Sequence, residues 1–516
     1  MAAVQQHSSL EVNEANEKGQ HIYANDIDSS RISTPGDVDD LPDPDAGKSD
    51  AERAALDKAL VWKMDKWLIP WLSLLYLLSF LDRTNIGNAR VANMEKEIGI
   101  DPAGRGYNDA LTIFFISYAG FEPLTNIAIK KWSPRVFFTA IILAWGTIMT
   151  LMGLVQNKAG LLACRWFLGI AEAGLFPGVN YYLSCWYKRQ ELGFRAALFF
   201  SAAALAGSFG GLLAAAITQM DGAGGYSGWR WIFIIEGLMT VFVGIFCWWM
   251  VFDFPDTARF LTADEKLRAQ RRLKADGQAR AKVGGIDRRH VMAALRDWKT
   301  WGYAVIYMGC LCPLYVFSLF LPTILLGMGH KGTKAQLLSV PPYAAAAALT
   351  VFIGWIADKT KKRGICNLIV SAIGCVGFAM LLATTNAKVQ YAATFFGAMG
   401  IYPTVSNTLT WASNNVEGSL KRGVMVGVVV GWGNMNGVVS SNIYMSREKP
   451  HYRTGHGIVL AYMFLFLFGG TLFMHIALKR ENKLRKAGKR DHWVQGKTEE
   501  EIEDMGDVRP DFYYTT

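Results

Sequence analysis

Two stretches of the chain set acids and bases inside otherwise apolar sequence. The first, SFLDRTNIG at 79–87, places Asp82 directly beside Arg83. The second, RWFLGIAEAGLFPG at 165–178, places Arg165 seven residues before Glu172. Seven residues make about two helical turns, so these two side chains project from one face of a helix, about 10 Å apart along its axis. An arginine facing a cavity offers a planar fork that holds a carboxylate through two hydrogen bonds. A carboxyl group in a partly dry site gains proton affinity from desolvation and loses it to a neighbouring arginine. If the arginine changes partner between states, bound proton, bound anion and free arginine become linked equilibria. Arg83 and Arg165 are therefore the candidate anion ligands, and Asp82 and Glu172 the candidate proton carriers.

The elements that must position them are membrane helices. Of the 516 residues, 51% are hydrophobic and only 19% are charged. The apolar residues come in blocks of roughly twenty, the length that crosses a bilayer core. Charge-free sequence runs only from Trp67 to Leu81 in the first block. That is about 22 Å of helix against a core of about 30 Å. Either the helix continues through Asp82, Arg83 and the compatible residues Gly87, Asn88 and Ala89, or the charged pair snorkels to the interface. The run of small and polar residues favours continuation. Four ionisable side chains in two spans are tolerated where they face a wet cavity and pair with one another; ion pairing that is purely structural is the plainer alternative.

The pattern predicts an all-α polytopic protein of twelve spans, near 65–86, 107–129, 135–156, 160–184, 195–219, 230–252, 301–326, 336–357, 365–384, 389–411, 422–445 and 457–478. It divides into an unstructured acidic tail (1–64), a six-helix half (65–252), a basic linker with an amphipathic helix (253–299), a second six-helix half (300–478) and a C-terminal tail (479–516). The tail is polar, with 13 acidic against 5 basic residues in 1–60. Lys58, Lys63 and Lys66 before the first span, and Lys479, Arg480, Lys483, Arg485 and Lys486 after the last, place both termini in the cytosol. The net charge of +10 reflects such flanks, and no basic stripe with interleaved aromatics suggests nucleic-acid binding. The seven cysteines sit in or beside apolar blocks as packed thiols, and His330, His451 and His456 fall in loops without metal-ligand spacing. A faint repeat links the halves. GWIADKTKKR ends at Arg363 with Asp358 inside it, and NIAIKKWSPR ends at Arg135 with Lys130 where the other has the acid. Both read as tight basic turns that gate the cytosolic side, and parallel halves of this kind are a transporter plan.

Secondary candidates are Tyr118 and Glu122, just before Pro123 in the second span. Glu122 is either a further intramembrane acid or a cap at the proline break. Asn407, Asn434 and Asn436 either bind substrate or join helices. Glu236 is placed to pair with Arg230. Gly207, Gly210, Gly211, Gly427, Gly431 and Gly433 allow close helix approach.

As a set, YLLSFLDRTNIGNA, RWFLGIAEAGLFPG, GWRWIFIIEG and FDFPDTARFLTADEK resemble the fungal allantoate and nicotinate permeases, of the anion:cation symporter branch of the major facilitator superfamily. The likeness covers about residues 60–485. It implies twelve helices in two six-helix halves, alternating access and proton-coupled uptake of a small organic anion. The expected setting is a monomer in the plasma membrane, with a carboxylate such as a vitamin, ureide or sugar acid as substrate. No cofactor beyond the coupling proton is implied. In related carriers an Asp-Arg pair in the first span and an Arg/Glu pair in the fourth serve coupling and gating, and those positions are Asp82, Arg83, Arg165 and Glu172 here. Export of an acidic metabolite and nutrient sensing are the alternatives. An enzyme is not expected, since no nucleophile–base set, phosphate-cradling loop or metal cluster is visible.

Overall fold

A computed structural model describes residues 41–101, 104–188, 191–276, 288–330, 332–449, 451–498, 501–502 and 505–516. Every regular element among them is helical. Six long helices form the first half: α1 (Asp50–Val91), α2 (Gly106–Lys131), α3 (Pro134–Met152), α4 (Lys158–Ser184), α5 (Leu192–Ile217) and α6 (Gly228–Met250). Two linker helices follow, α7 (Ala263–Ala275) and α8 (Arg288–Arg296). The second half holds α9 (Trp298–Gly327), α10 (Gly332–Thr360), α11 (Arg363–Ala383), α12 (Ala387–Asn414), α13 (Ser419–Ile443) and α14 (Arg453–Lys486). Ten of these are long and apolar enough to cross a membrane. The exceptions, α2 and α12, fill the second and tenth positions of the twelve-span expectation. They are equally long but interrupted by polar residues such as Asn108, Glu122, Asn407 and Thr408.

The first helix differs most from expectation. It starts at Asp50, fifteen residues early, because Ser49 and Glu52 form a reciprocal capping box that satisfies its first amide groups. The expected unstructured tail is thus ordered from residue 41 onward; residues 1–40 lie outside the described chain. Asp45 pairs with Arg268 of α7 at 2.6 Å, and that contact holds the Asp45 carboxyl far below the ordinary carboxylate range. Lys63 reaches Glu265 at 2.7 Å, so the linker helix is tied beneath the first half. At its other end α1 runs on through Asp82 and Arg83 to Val91, with every residue from Leu78 to Arg90 buried. The snorkelling alternative is excluded by that burial.

The halves meet reciprocally. The second helix of one packs against the fifth of the other (α2 on α13, α10 on α5), and the two first helices, α1 and α9, touch at the centre. Close approach of α5 and α10 depends on Gly207 and Gly211. A Cβ on Gly207 would lie 2.7 Å from the Tyr343 ring, and one on Gly211 2.6 Å from the Gln336 carbonyl. Gly427 and Gly431 do not serve this purpose, since nothing lies within 4 Å of a Cβ at either. All seven cysteines are free thiols. His456 is not in a loop. It is buried in α14, its Nδ1 2.6 Å from the Tyr444 hydroxyl.

Both described tails and the linker pack at one end of the bundle, called the tail face below. There the C-terminal tail folds back as a strap. Arg485 donates to the carbonyls of Asp507, Arg509 and Phe512, and Thr515 exchanges hydrogen bonds with Asn415 at 2.7 and 2.9 Å.

Candidate functional site

The centre of the first half is built on close contact between α2 and α4. A Cβ on Gly169 would come within 2.4 Å of the Phe114 carbonyl, so glycine there lets α4 lie flat on α2. Arg165 then stacks on the Phe114 ring, 4.5 Å from guanidinium carbon to centroid. Its Nε donates to the Ala110 carbonyl at 3.3 Å. Arg165 is fully buried, and among the described residues neither terminal guanidinium nitrogen has a partner. Two turns on, α4 breaks at Ala173–Gly174 and restarts at Leu175. Glu172 closes the first segment and accepts from Arg83 at 2.9 and 3.1 Å, with the Ser79 hydroxyl 3.4 Å away. Its second oxygen, Oε1, is buried and unpartnered. Arg83 also lies over Tyr118 (4.8 Å) and Phe114 (5.3 Å).

One expectation about pairing therefore changes. Arg83 of the first span does meet Glu172 of the fourth, as pairing between the two spans requires. Among the described residues no arginine reaches Asp82. It accepts from Thr240 of α6 at 2.8 Å and Trp145 of α3 at 3.2 Å, and its Oδ1 is unpartnered. Successive helical residues point about 100° apart, so Arg83 faces the molecular centre while the side chain beside it faces α3 and α6.

The other candidates separate into a central group and a tail-face group. Glu122 of α2 accepts from the Asn434 amide of α13 at 2.8 Å, and Tyr315 of α9 donates to the same Asn434 at 2.8 Å. This chain joins the halves beside Arg83, so Glu122 is not a cap at Pro123. Asn436 is bound locally, donating to the Trp432 carbonyl at 2.9 Å. Asn407 belongs to the tail face. It accepts from Arg363 at 2.9 Å, and its amide donates to the Arg363 carbonyl (2.9 Å) and Asn367 (2.8 Å). Both ends of that amide are committed to Arg363 and Asn367, so Asn407 joins helices here.

Arg363 also pairs with Asp358, and this turn presses on Gly193 of α5 across the boundary between halves. In the first half, Arg135 finds its acid elsewhere, as its backbone amide donates to Asp253 at 3.0 Å and its Nε to the Val251 carbonyl at 3.3 Å. Nothing is described of the Lys130 side chain. Glu236 does not pair with Arg230. Arg230 bonds Glu97 and two carbonyls, whereas Glu236 accepts from the Asn85 amide. Sequence reading missed Tyr315, Trp145 and Thr240. Each sits in an apolar helix where only tertiary packing reveals which face it occupies.

A twelve-position helical bundle with reciprocal contacts between halves, and ionisable groups enclosed at its centre, defines a secondary-transporter class of membrane protein. The chain belongs to the Major Facilitator Superfamily, whose family model matches residues 72–474. It is 33% identical to "MFS transporter prlL" of Fungal sp. (strain NRRL 50135), over 90% of this chain and 97% of that protein. It is 31% identical to the "High-affinity nicotinic acid transporter" of Saccharomyces cerevisiae, over 88% of this chain and 83% of that one. Among solved structures, the proton:xylose symporter XylE bound to 6-bromo-6-deoxy-D-glucose superposes with a TM-score of 0.59 at 15% identity, covering 80% of this chain and 96% of that one. That likeness speaks to fold alone. Relatives named as transporters place the chain among carriers rather than enzymes.

Proposed function

We propose that this carrier takes up a small organic anion together with a proton by alternating access. It would work as a monomer in the plasma membrane with the tail face in the cytosol. The observation that carries the reading is Arg165, a buried guanidinium whose two terminal nitrogens meet no acceptor among the described residues, while the neighbouring Arg83 is held by Glu172. An unsatisfied buried cation is costly unless an anion completes it. Arg83 supplies the coupling. Ionised Glu172 occupies it; a proton on Glu172 weakens that pair and frees the guanidinium for a carboxylate. Proton and anion then bind as one unit, because each removes an obstacle to the other. Tyr118, Phe114, Tyr315 and Asn434 supply aromatic faces and a neutral polar edge around the arginine. Such a lining suits a flat carboxylate, in keeping with the nicotinic acid transporter among the relatives.

The test is uptake by cells expressing the chain, with labelled nicotinate, allantoate, pantothenate, biotin and sugar acids at about pH 5 and about pH 7. Empty cells control for passive entry of protonated acid. Saturable uptake of one carboxylate, stimulated at the lower pH, is expected. Efflux without uptake would reverse the direction, and no carboxylate transport in either direction would remove the reading.

A further inference from the structure

Helix α1 carries polar groups on two sides, and the anion reading uses only one. On the other side, α1 and α6 form two rungs. Asp82 meets Thr240, and one turn further from the tail face Asn85 meets Glu236. Spacings of three on α1 and four on α6 align the rungs because the helices run antiparallel. Both acids are fully buried. The donors that reach them are all neutral: Trp145 from α3, Thr240 from α6 and Asn85 from α1. The nearest basic group on α6, Arg230, is bound to Glu97. Helix α5 faces this region with Gly210, where a Cβ would sit 3.7 Å from the Asn88 amide and 3.9 Å from Asn85 Oδ1. On α3, packed against α6, Arg135 is the single charged residue and lies at the tail face, bound to Asp253. The titratable groups near Glu236 are therefore Asp82 and, beyond it, the Arg83–Glu172 pair.

A second feature points to a mobile occupant. Asp82 Oδ1, Asn85 Oδ1, Asn88 Oδ1 and Glu236 Oε1 are all buried without a partner among the described residues. Four such acceptors along one seam are unusual in a dry interior, where buried polar atoms are nearly always satisfied. Carboxylates lacking cations are especially costly there. A proton relieves that cost by turning an acceptor into a donor.

We propose that Glu236 and Asp82 form a two-carboxyl proton relay along the α1–α6 seam, on a different side of α1 from the Arg83–Glu172 pair, while the anion approaches from the centre. One proton passes from the Glu236 carboxyl to the Asp82 carboxylate, so the charge on the pair is unchanged by the transfer. Asn85 belongs to the second rung, where it donates to Glu236, and its unpartnered Oδ1 can accept from a protonated carboxyl. Separate routes mean that the anion need not be displaced for the proton to arrive. The proposal deepens the proton-coupled reading and rests on it for its physiological use, but its test does not need a substrate.

The full chain in lipid nanodiscs is titrated by infrared difference spectroscopy, following the carbonyl band of protonated carboxyl groups. Glu236→Gln is expected to remove one such band and to shift the pH at which the Asp82 band is lost by about one unit or more, as coupled sites require. Asp82→Asn should shift the Glu236 band reciprocally, and Glu236→Asp should restore coupled titration, which a purely structural role would not produce. If the remaining band in each single variant is lost at the same pH as in the wild type, the path is overturned. If Glu236→Gln does not fold, Asp82→Asn and Glu236→Asp still decide the question. Coupled titration in a protein that moves no carboxylate would remove the anion reading and leave the path standing.

Discussion

The two halves share a helical plan but place charge differently. In the first half, Asp82, Arg83, Glu122, Arg165, Glu172 and Glu236 are all buried deep in the bundle. In the second, the corresponding interior is neutral, with Tyr315, Ser318, Tyr402, Thr408 and Asn434. Its charged clusters gather at the tail face, in the Asp358–Arg363 turn and in the group of Lys299, Lys421 and Asp507. In the proposed mechanism, concentrating the charges in one half would let proton and anion sense each other over a few ångströms at low dielectric, where electrostatics is strong. The neutral half would then slide past them without breaking a buried ion pair. Glu122 is the exception, meeting the second half through a single amide that can be exchanged at modest cost.

This asymmetry can be broken in graded ways. Arg165→Ala should have the largest effect, cutting uptake about a hundredfold with normal surface expression, since a desolvated charge contact is worth about 2–5 kcal/mol. Uptake at the wild-type rate would remove Arg165 from the anion site. Glu172→Gln should come next, flattening the pH profile of uptake about tenfold at the acidic end while leaving anion exchange in counterflow. Retained pH dependence would move the switch elsewhere. Asn434→Ala should cost several-fold in KM, corresponding to about 1 kcal/mol for a neutral hydrogen-bonded contact. Asn407→Ala should instead lower the maximal rate with KM unchanged, because its partners are those of the tail-face turn. A KM effect at Asn407 would return it to the anion ligands.

The smallest effect on transport is expected at the strap. Burial would push the Asp507 carboxyl up, but Lys299 and Lys421 together hold it below its ordinary value. A carboxyl depressed by folding stabilises the docked state above its free value of about 4. That contribution is lost as pH falls through the lower, folded value. Asp507→Asn should therefore expose the C-terminal tail to proteolysis at neutral pH, as strong acid does in the wild type, with uptake little changed. Protection that persists in both cases would show that the Arg485 and Thr515 contacts suffice.

Much of the site could be read directly from the residues. The shortness of the first charge-free run carried Asp82 and Arg83 into the bundle, and seven-residue spacing set Arg165 and Glu172 on one face. Spacing says which residues share a face but not what that face meets. Arg83 and Glu172 are 89 residues apart in sequence, and their contact depends on how α1 crosses α4. Asn407 stayed open between substrate and helix contact for the same reason: a polar residue in a span looks alike whether it faces a cavity or clamps a turn. The early start of α1 was legible in Ser49 and Glu52, but acidic composition masked the cap.

The sequence alone determined that this is a helical membrane protein in two halves, because apolar block length and flanking charge follow from the bilayer itself. It also determined that ionisable groups enter the bundle, since too few apolar residues precede them to end the span. Tertiary structure alone decided the partners: Glu172 rather than Asp82 for Arg83, Asn85 rather than Arg230 for Glu236, and no acid for Arg165. In helices apolar on nearly every side, periodicity carries no information about facing. The side on which each charge is satisfied is fixed only when the helices pack.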